Sequence, residues 1–377
     1  MRTFAPMYGQ QSIHDLLFLI LYGGVAMLAL AAGFYLLLRR SNAIAPTITP
    51  PTALRRWTAA FFVAAALSHV WWFVLGVYWL TDDRLVRNIT AATLDHITLV
   101  PLVMAMLLRM LQDRRRRLWP WVLTQTPIIV FAAIGIVRRN EFYGFEMTTY
   151  WQVAVIIVFV VYYIYSLVKY GRWLNQNYAD LEHKEVWQSL LFVVALFAIY
   201  EVYFTNPGEM VREYLAQVNT IVIIAFLIWR VETLQTLDPI EDDVKETTAV
   251  LYDNDDTTTP IITVSDKISE QLEKYCVAKQ LYLQRDLTLQ QLAIAIGTNR
   301  TYLSGYFAQQ GITYNTYINC LRVDHFIRLY RENLSSPRPI TAIQLAQQSG
   351  FYSYSTFSAA FKKFTGVTVS EWIKRES

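Results

Sequence analysis

Cysteine, charge and enzyme signatures are all scarce in this chain of 377 residues. The two cysteines, Cys276 and Cys320, lack the spacing that metal or redox chemistry needs, which excludes a disulfide framework and a thiolate metal centre. Both thiols are expected to be reduced and buried in a cytosolic domain. Charged residues make up 17 % of the chain against 54 % hydrophobic ones. No phosphate-binding glycine loop, zinc-protease helix or nucleophile–base pair is present, so neither catalytic residues, a metal nor a cofactor is expected, and the chain does not read as an enzyme. The formal net charge of +3 says little about partners, because an acidic tract offsets a basic C-terminal region.

What is abundant is apolar sequence. Successive runs near 20 residues, the length that crosses a bilayer core of about 30 Å, cover Leu16–Leu38, Thr58–Leu80, Thr90–Leu111, Trp119–Val137, Trp151–Tyr170, Trp187–Phe204 and Val211–Trp229. Tryptophans such as Trp71, Trp72, Trp119, Trp151, Trp187 and Trp229 fall mostly toward the ends of these runs, as an interfacial belt requires. The first run is too long for a cleaved signal peptide, and Arg39-Arg40 follow it as a stop-transfer signal. Arg39, Arg40, Arg55 and Arg56, then Arg114 to Arg117, then Lys169, Arg172 and Lys184 mark alternate loops as cytosolic. The N-terminus is therefore expected outside and the C-terminus in the cytosol. Seven spans agree by parity. Arg114 to Arg117 read as a topology anchor, with anionic lipid or DNA as the sharper alternatives.

Few polar residues lie inside these runs: His69, Asp95, His96, and Glu201 near a span end. Intramembrane polar groups are functional candidates by default, but no third ligand at metal spacing accompanies them. Interhelical hydrogen bonds are the expected role of His69 and His96. The loops expected outside are short, so any sensed molecule must bind within the bundle or on its rim.

Composition changes again over Val231 to Val264, which carries Asp238, Glu241, Asp242, Asp243, Glu246, Asp253, Asp255 and Asp256 with few large apolar residues. It reads as a disordered acidic tether, covering roughly 30 Å root-mean-square.

Beyond it one pattern occurs twice. Thr288 to Gly297 reads T-L-Q-Q-L-A-I-A-I-G and Thr341 to Gly350 reads T-A-I-Q-L-A-Q-Q-S-G. In each, threonine at the N-cap and glutamine three residues on (Gln291, Gln344) form a capping box that satisfies orphan amides at a helix start. Leu292-Ala293 and Leu345-Ala346 supply a small apolar face, and Gly297 and Gly350 suit the sharp turn of a helix-turn-helix. A second helix follows each turn, with Leu303 and Phe307 or Phe357 and Phe361 at i, i+4 on one buried face. Gly311-Ile312-Thr313 and Gly366-Val367-Thr368 then match, as do Tyr317 and Trp372 six residues past those glycines. One capping box arises easily by chance; two with matching downstream landmarks do not. Between the copies, Tyr314 to Asn333 reads as one helix. Ile318, Leu321, Phe326 and Leu329 lie on its apolar side and Arg322, Arg328 and Arg331 on others, and Ser335-Ser336-Pro337-Arg338-Pro339 ends it.

This arrangement resembles the AraC/XylS family of DNA-binding domains over about residues 266–377. Its most specific stretch is Gly350-Phe351, Ser355, Phe357-Ser358, Phe361-Lys362-Lys363, Gly366-Val367 and Ser370-Glu371-Trp372, with Leu321-Arg322 matching the central-helix signature. The resemblance implies that the second helix of each unit enters the major groove. The implied readers are Asn299, Arg300, Thr301 and Ser304 in the first unit and Ser353, Tyr354, Ser355 and Ser358 in the second, with Lys362 and Lys363 near phosphates. The chain departs from the family at Gly305 and Ala359, at Ala308, at Val369 and at Phe326. The first three changes remove groove or phosphate contacts. From Asp266 onward thirteen Lys/Arg face eight Asp/Glu, the mildly basic balance that phosphate neutralisation favours.

The expected fold is all-α: an extracytoplasmic N-terminus (1–15), a seven-helix transmembrane bundle (16–230), the linker (231–265), and a cytosolic domain of two helix-turn-helix units joined by a long helix (266–377). The expected function is a membrane-bound, sequence-specific transcriptional regulator with the bundle as sensor, in the cell membrane. Its expected partners are double-stranded DNA, the lipid bilayer, a second copy of the chain as a homodimer, and a signal that is a small molecule or a membrane protein. The competing class is a membrane transport or scaffold protein whose degenerate helix-turn-helix module binds protein.

Overall fold

The structure, a computed structural model, describes residues 13–39, 41–76, 82–192, 210–237, 261–334 and 340–376. Among these the regular elements are helices, with one isolated bridge between Tyr178 and Thr288. The chain divides into two compact units, Met1–Leu167 with Val186–Asp238, and Val168–Glu185 with Pro239–Ser377.

The first unit is built from α1 (Ile13–Leu38), α2 (Thr52–Gly76), α3 (Arg84–Met110), α4 (Trp119–Leu123), α5 (Thr126–Arg138), most of α6 (Met147–Asn177) and α7 (Met210–Thr233). Among the described residues six stretches are long and apolar enough to cross a membrane: Leu16–Leu38, Thr52–Gly76, Arg84–Met110, Trp119–Arg138, Phe142–Asn177 and Glu213–Thr233. They correspond to six of the seven expected spans. The other, Trp187–Phe204, falls mostly outside the described residues, as do Glu201 and most of the N-terminal segment.

Local chemistry sets several boundaries. Asp83 caps α3, its carboxylate accepting from the Leu85 and Val86 amides at 3.0 and 3.4 Å. The expected fourth span is two helices, because the chain breaks at Thr124-Gln125 and a proline restarts each piece at its first turn. Where α5 meets the turn of π-helix at Phe142–Glu146, Gly135 and Gly144 lie back to back: a Cβ on Gly135 would sit 2.6 Å from Gly144 backbone, so side chains are excluded from this crossing.

Two of the polar groups inside this unit, Asp95 and His69, are paired across helices. Asp95 accepts from Ser68 Oγ at 2.6 Å, Trp71 Nε1 at 3.1 Å and Trp72 Nε1 at 2.7 Å, tying α3 to α2. His69 Nε2 lies 3.0 Å from Gln217 Oε1 on α7, the interhelical bond expected of it. His96 differs from expectation: its Nδ1 faces the Ala92 carbonyl at 2.6 Å, one turn back in its own helix. Arg116 also departs from the reading of its run as a simple basic anchor, for it turns inward and pairs with Asp113 through both terminal nitrogens at 2.7 and 3.1 Å. Arg114, Arg115 and Arg117 remain exposed.

The chain leaving α7 is stapled to neighbouring loops. The Glu232 carboxylate accepts from the Tyr35 hydroxyl and from the Ala43 and Ile44 amides at 3.0 and 2.7 Å. The Thr236 amide donates to the Thr49 carbonyl at 2.8 Å, and Gln112 bonds Gln235 and Leu237 main chain at 2.9 Å. Leu234 and Leu237 are buried. The first residues of the tract read as tether are thus packed, and residues 238–260 lie outside the described residues.

The second unit holds α8 (Ile261–Gln271), which continues as a π-turn over Leu272–Val277. A 3₁₀ turn follows at Leu281–Leu283, then α9 (Leu289–Ala295), α10 (Arg300–Gln309), α11 (Tyr314–Leu334), α12 (Ala342–Gln348), α13 (Tyr354–Thr365) and α14 (Val369–Glu376). Its two cores share one helix. Tyr314 and Ile318 of α11 pack with Leu289, Leu292, Leu303 and Phe307, while Val323, Phe326 and Tyr330 of the same helix pack with Leu345, Phe351, Phe357 and Phe361.

Candidate nucleic-acid interface

The two helix pairs are made locally by the same devices. Thr288 Oγ1 accepts from the Gln291 amide at 3.2 Å while Gln291 Oε1 accepts from the Thr288 amide at 2.9 Å. Thr341 and Gln344 repeat the exchange at 3.3 and 3.2 Å. Both capping boxes are therefore formed. The turns need left-handed backbone: φ is +73° at Gly297 and +87° at Gly350, and a Cβ on Gly350 would also come within 2.8 Å of the Leu283 carbonyl. Leu303, Phe307, Phe357 and Phe361 all point into the cores.

The second helices start at matched caps. Asn299 Oδ1 accepts from the Tyr302 amide at 2.9 Å, and Ser353 Oγ from the Thr356 amide at 3.3 Å. Aligning these caps pairs Arg300 with Tyr354, Thr301 with Ser355, Ser304 with Ser358, and Ala308 with Lys362. Asn299 and Ser353 are thus occupied as caps. Thr301, Tyr354, Ser355, Lys362 and Lys363 are exposed, and Ser304 and Ser358 are half-buried. Tyr302, absent from the expected readers, is 45 % exposed in the first turn of α10. Lys363 Nζ leans toward Thr316 Oγ1 at 3.4 Å.

Arg322 corrects the sequence reading most clearly. Placed off the apolar side of its helix, it is only 1 % exposed. Its Nε donates to the Tyr282 carbonyl at 2.7 Å and its Nη2 to the Gln284 carbonyl at 2.8 Å, and its guanidinium lies 5.8 Å from the Phe351 ring centroid. One side chain thus ties the 3₁₀ turn, α11 and the second core together. Close by, His325 Nδ1 faces both the Tyr282 hydroxyl at 3.1 Å and Arg328 Nη2 at 2.7 Å. Burial first and the Arg328 charge second hold its pKa below the usual imidazole value, which favours the neutral ring. Cys276 is buried and its thiol is pushed up to about 12, chiefly by burial, whereas Cys320 is half-buried. Neither is placed as a reactive thiolate.

The largest feature missed in the sequence is the segment that follows α6. Tyr178 bridges Thr288, and Ala179, at 0 % exposure, is part of the first core. Its amide donates to the Leu287 carbonyl at 3.4 Å, and its carbonyl accepts from Asn315 Nδ2 at 2.7 Å and Asn319 Nδ2 at 3.3 Å. Lys184, read only as a topology marker, forms a 2.9 Å ion pair with Asp286.

Comparison with known proteins bears on the same region. Residues 292–375 match a family described as a helix-turn-helix domain, of the AraC type. No curated protein and no solved structure matches the chain. The matched domain is that of a DNA-binding transcription regulator, and no enzymatic family is indicated. Among the described residues no group of three metal-ligating side chains comes together.

Proposed function

We propose that the chain is a membrane-bound, sequence-specific transcriptional regulator. Its apolar helices form a sensor in the cell membrane, the N-terminus lies outside, and residues 266–377 face the cytosol on the tether that follows residue 237. The carrying observation is the duplicated, capped helix pair joined by one helix common to both cores, within the stretch that matches the helix-turn-helix family. In this reading α10 and α13 enter successive major grooves about 34 Å apart, one helical turn of DNA. Arg300, Thr301, Ser304, Tyr354, Ser355 and Ser358 face bases, and Asn299 and Ser353 hold the helix starts against the backbone. Lys362 and Lys363 neutralise phosphates. The bilayer holds the sensor, a second copy pairs the readers, and a small molecule or membrane protein biases the bundle.

The test is selection of random duplex DNA by the full chain in lipid nanodiscs, since Ala179 completes the first core and a C-terminal fragment would lack it. An enriched site with two half-elements about one turn apart is expected. Arg300→Ala should weaken binding and relax one position by about 1–3 kcal/mol. No enrichment by a folded chain would overturn the reading in favour of a protein-binding module.

A further inference from the structure

The segment Asn177–Glu185 touches both helices that the proposed reading assigns to DNA. Asn177 Oδ1 accepts from Arg300 Nε at 2.9 Å, at the first residue of α10. Glu182 Oε2 accepts from Thr356 Oγ1 at 3.3 Å, in the first turn of α13. Between these ends, His183 sets its ring edgewise to Tyr352 with centroids 6.1 Å apart. Asn315 Nδ2 donates to the carbonyls of Tyr178 and Ala179 at 3.3 and 2.7 Å. The segment is therefore seated along the domain from the start of one second helix to the start of the other.

Its chemistry fits that seat. Asp180, Glu182 and Glu185 outnumber the lone Lys184. Free amides and the dipole at a helix start attract anions, which is why phosphates bind there. At the start of α13 the Glu182 carboxylate offers the negative charge that a DNA backbone would offer. The loop also holds Arg300, the one charged group among the expected base readers.

We propose that residues 177–185 are a built-in competitor for the DNA-reading face, so that the docked loop and duplex DNA exclude one another. The inference rests on the DNA-binding reading and adds its regulation. The loop continues directly from α6, one of the stretches apolar enough to span a membrane. A displacement of the cytosolic end of that helix is then the event that bares the readers. Tyr178 and Ala179 seat the loop in the first core, Asn177 and Glu182 cover the reader helices, and DNA releases both parts together.

The test uses the full chain in nanodiscs and the duplex enriched above, with affinity read by fluorescence anisotropy. Paired residues of an antiparallel bridge have the Cα spacing a disulfide needs, so Tyr178→Cys with Thr288→Cys locks the loop when oxidised. The oxidised chain should bind at least tenfold more weakly than the same chain reduced. Asn177→Ala with Glu182→Ala should bind several-fold more tightly than the unmodified chain. In the unmodified chain, hydrogen exchange over residues 177–185 should speed up when DNA is added. Equal affinity of locked and reduced chains, or protection of the loop by DNA, overturns the competitor while leaving DNA binding intact. No binding by the reduced and loosened chains alike overturns the DNA reading itself, and the competitor with it.

Discussion

The two helix-turn-helix units share their landmark residues in sequence and are unlike in their cores. The first is filled largely by aliphatic side chains, among them Leu272, Leu287, Leu289, Leu292, Ile296, Leu303 and Ile318, and is completed by Ala179 from more than a hundred residues away. The second is aromatic and drawn from nearby chain. Phe326 lies 4.4 Å from Phe357 and 5.7 Å from Phe361, and Trp372 closes on Phe361 at 5.4 Å, centroid to centroid. A repeated motif thus fixes the helix starts and turns, while the filling between helices is free to diverge. The first unit relies on a borrowed segment, and that reliance is what makes it open to control.

Four substitutions test this contrast. The largest effect is expected at Phe326, whose ring meets four others. Phe326→Ala should cost about 3–5 kcal/mol through the cavity it leaves. Native-state hydrogen exchange should report the loss in residues 342–376 far more than in 287–312, and an equal loss in both would erase the distinction between the cores. Next comes Arg322→Met, which keeps an apolar stem but abandons the Tyr282 and Gln284 carbonyls. A loss of about 2 kcal/mol is expected, seen by the same measurement around residues 281–295. If the second unit loosens instead, the guanidinium serves Phe351 more than the first unit. The smallest effects are those of the caps. Thr288→Ala and Thr341→Ala should each cost about 1 kcal/mol, and a clear inequality in thermal unfolding would mean the matched boxes are not energetically equivalent.

The features legible in the sequence were those whose cause is local. A threonine with a glutamine three residues on encodes its own capping box, and a glycine at a forced turn declares its φ. Phe357 and Phe361 announce a buried face through spacing alone. The apolar spans are legible for the same reason, though the polar Thr124-Gln125-Thr126 and Pro127 that break the fourth are read through as part of one run. Arg322 was misread because its partners are main-chain carbonyls about forty residues distant, which no side-chain pattern signals. Tyr178 and Ala179 were missed altogether. An alanine carries no signature, and the acids beside it look like an ordinary loop between spans. At the interface, Asn299 and Ser353 were assigned to bases by resemblance, and their cap bonds became apparent only with the backbone in place.

Because α11 feeds both cores, it fixes more than a separation. Each residue of an α-helix adds about 1.5 Å and turns the chain by about 100°. Ile318 is held by one core and Phe326 by the other. One residue inserted between them would scarcely lengthen the domain but would swing the second unit more than a quarter turn about the helix axis. What the helix keeps constant is therefore phase: the angle at which the second pair of helices faces a surface already met by the first.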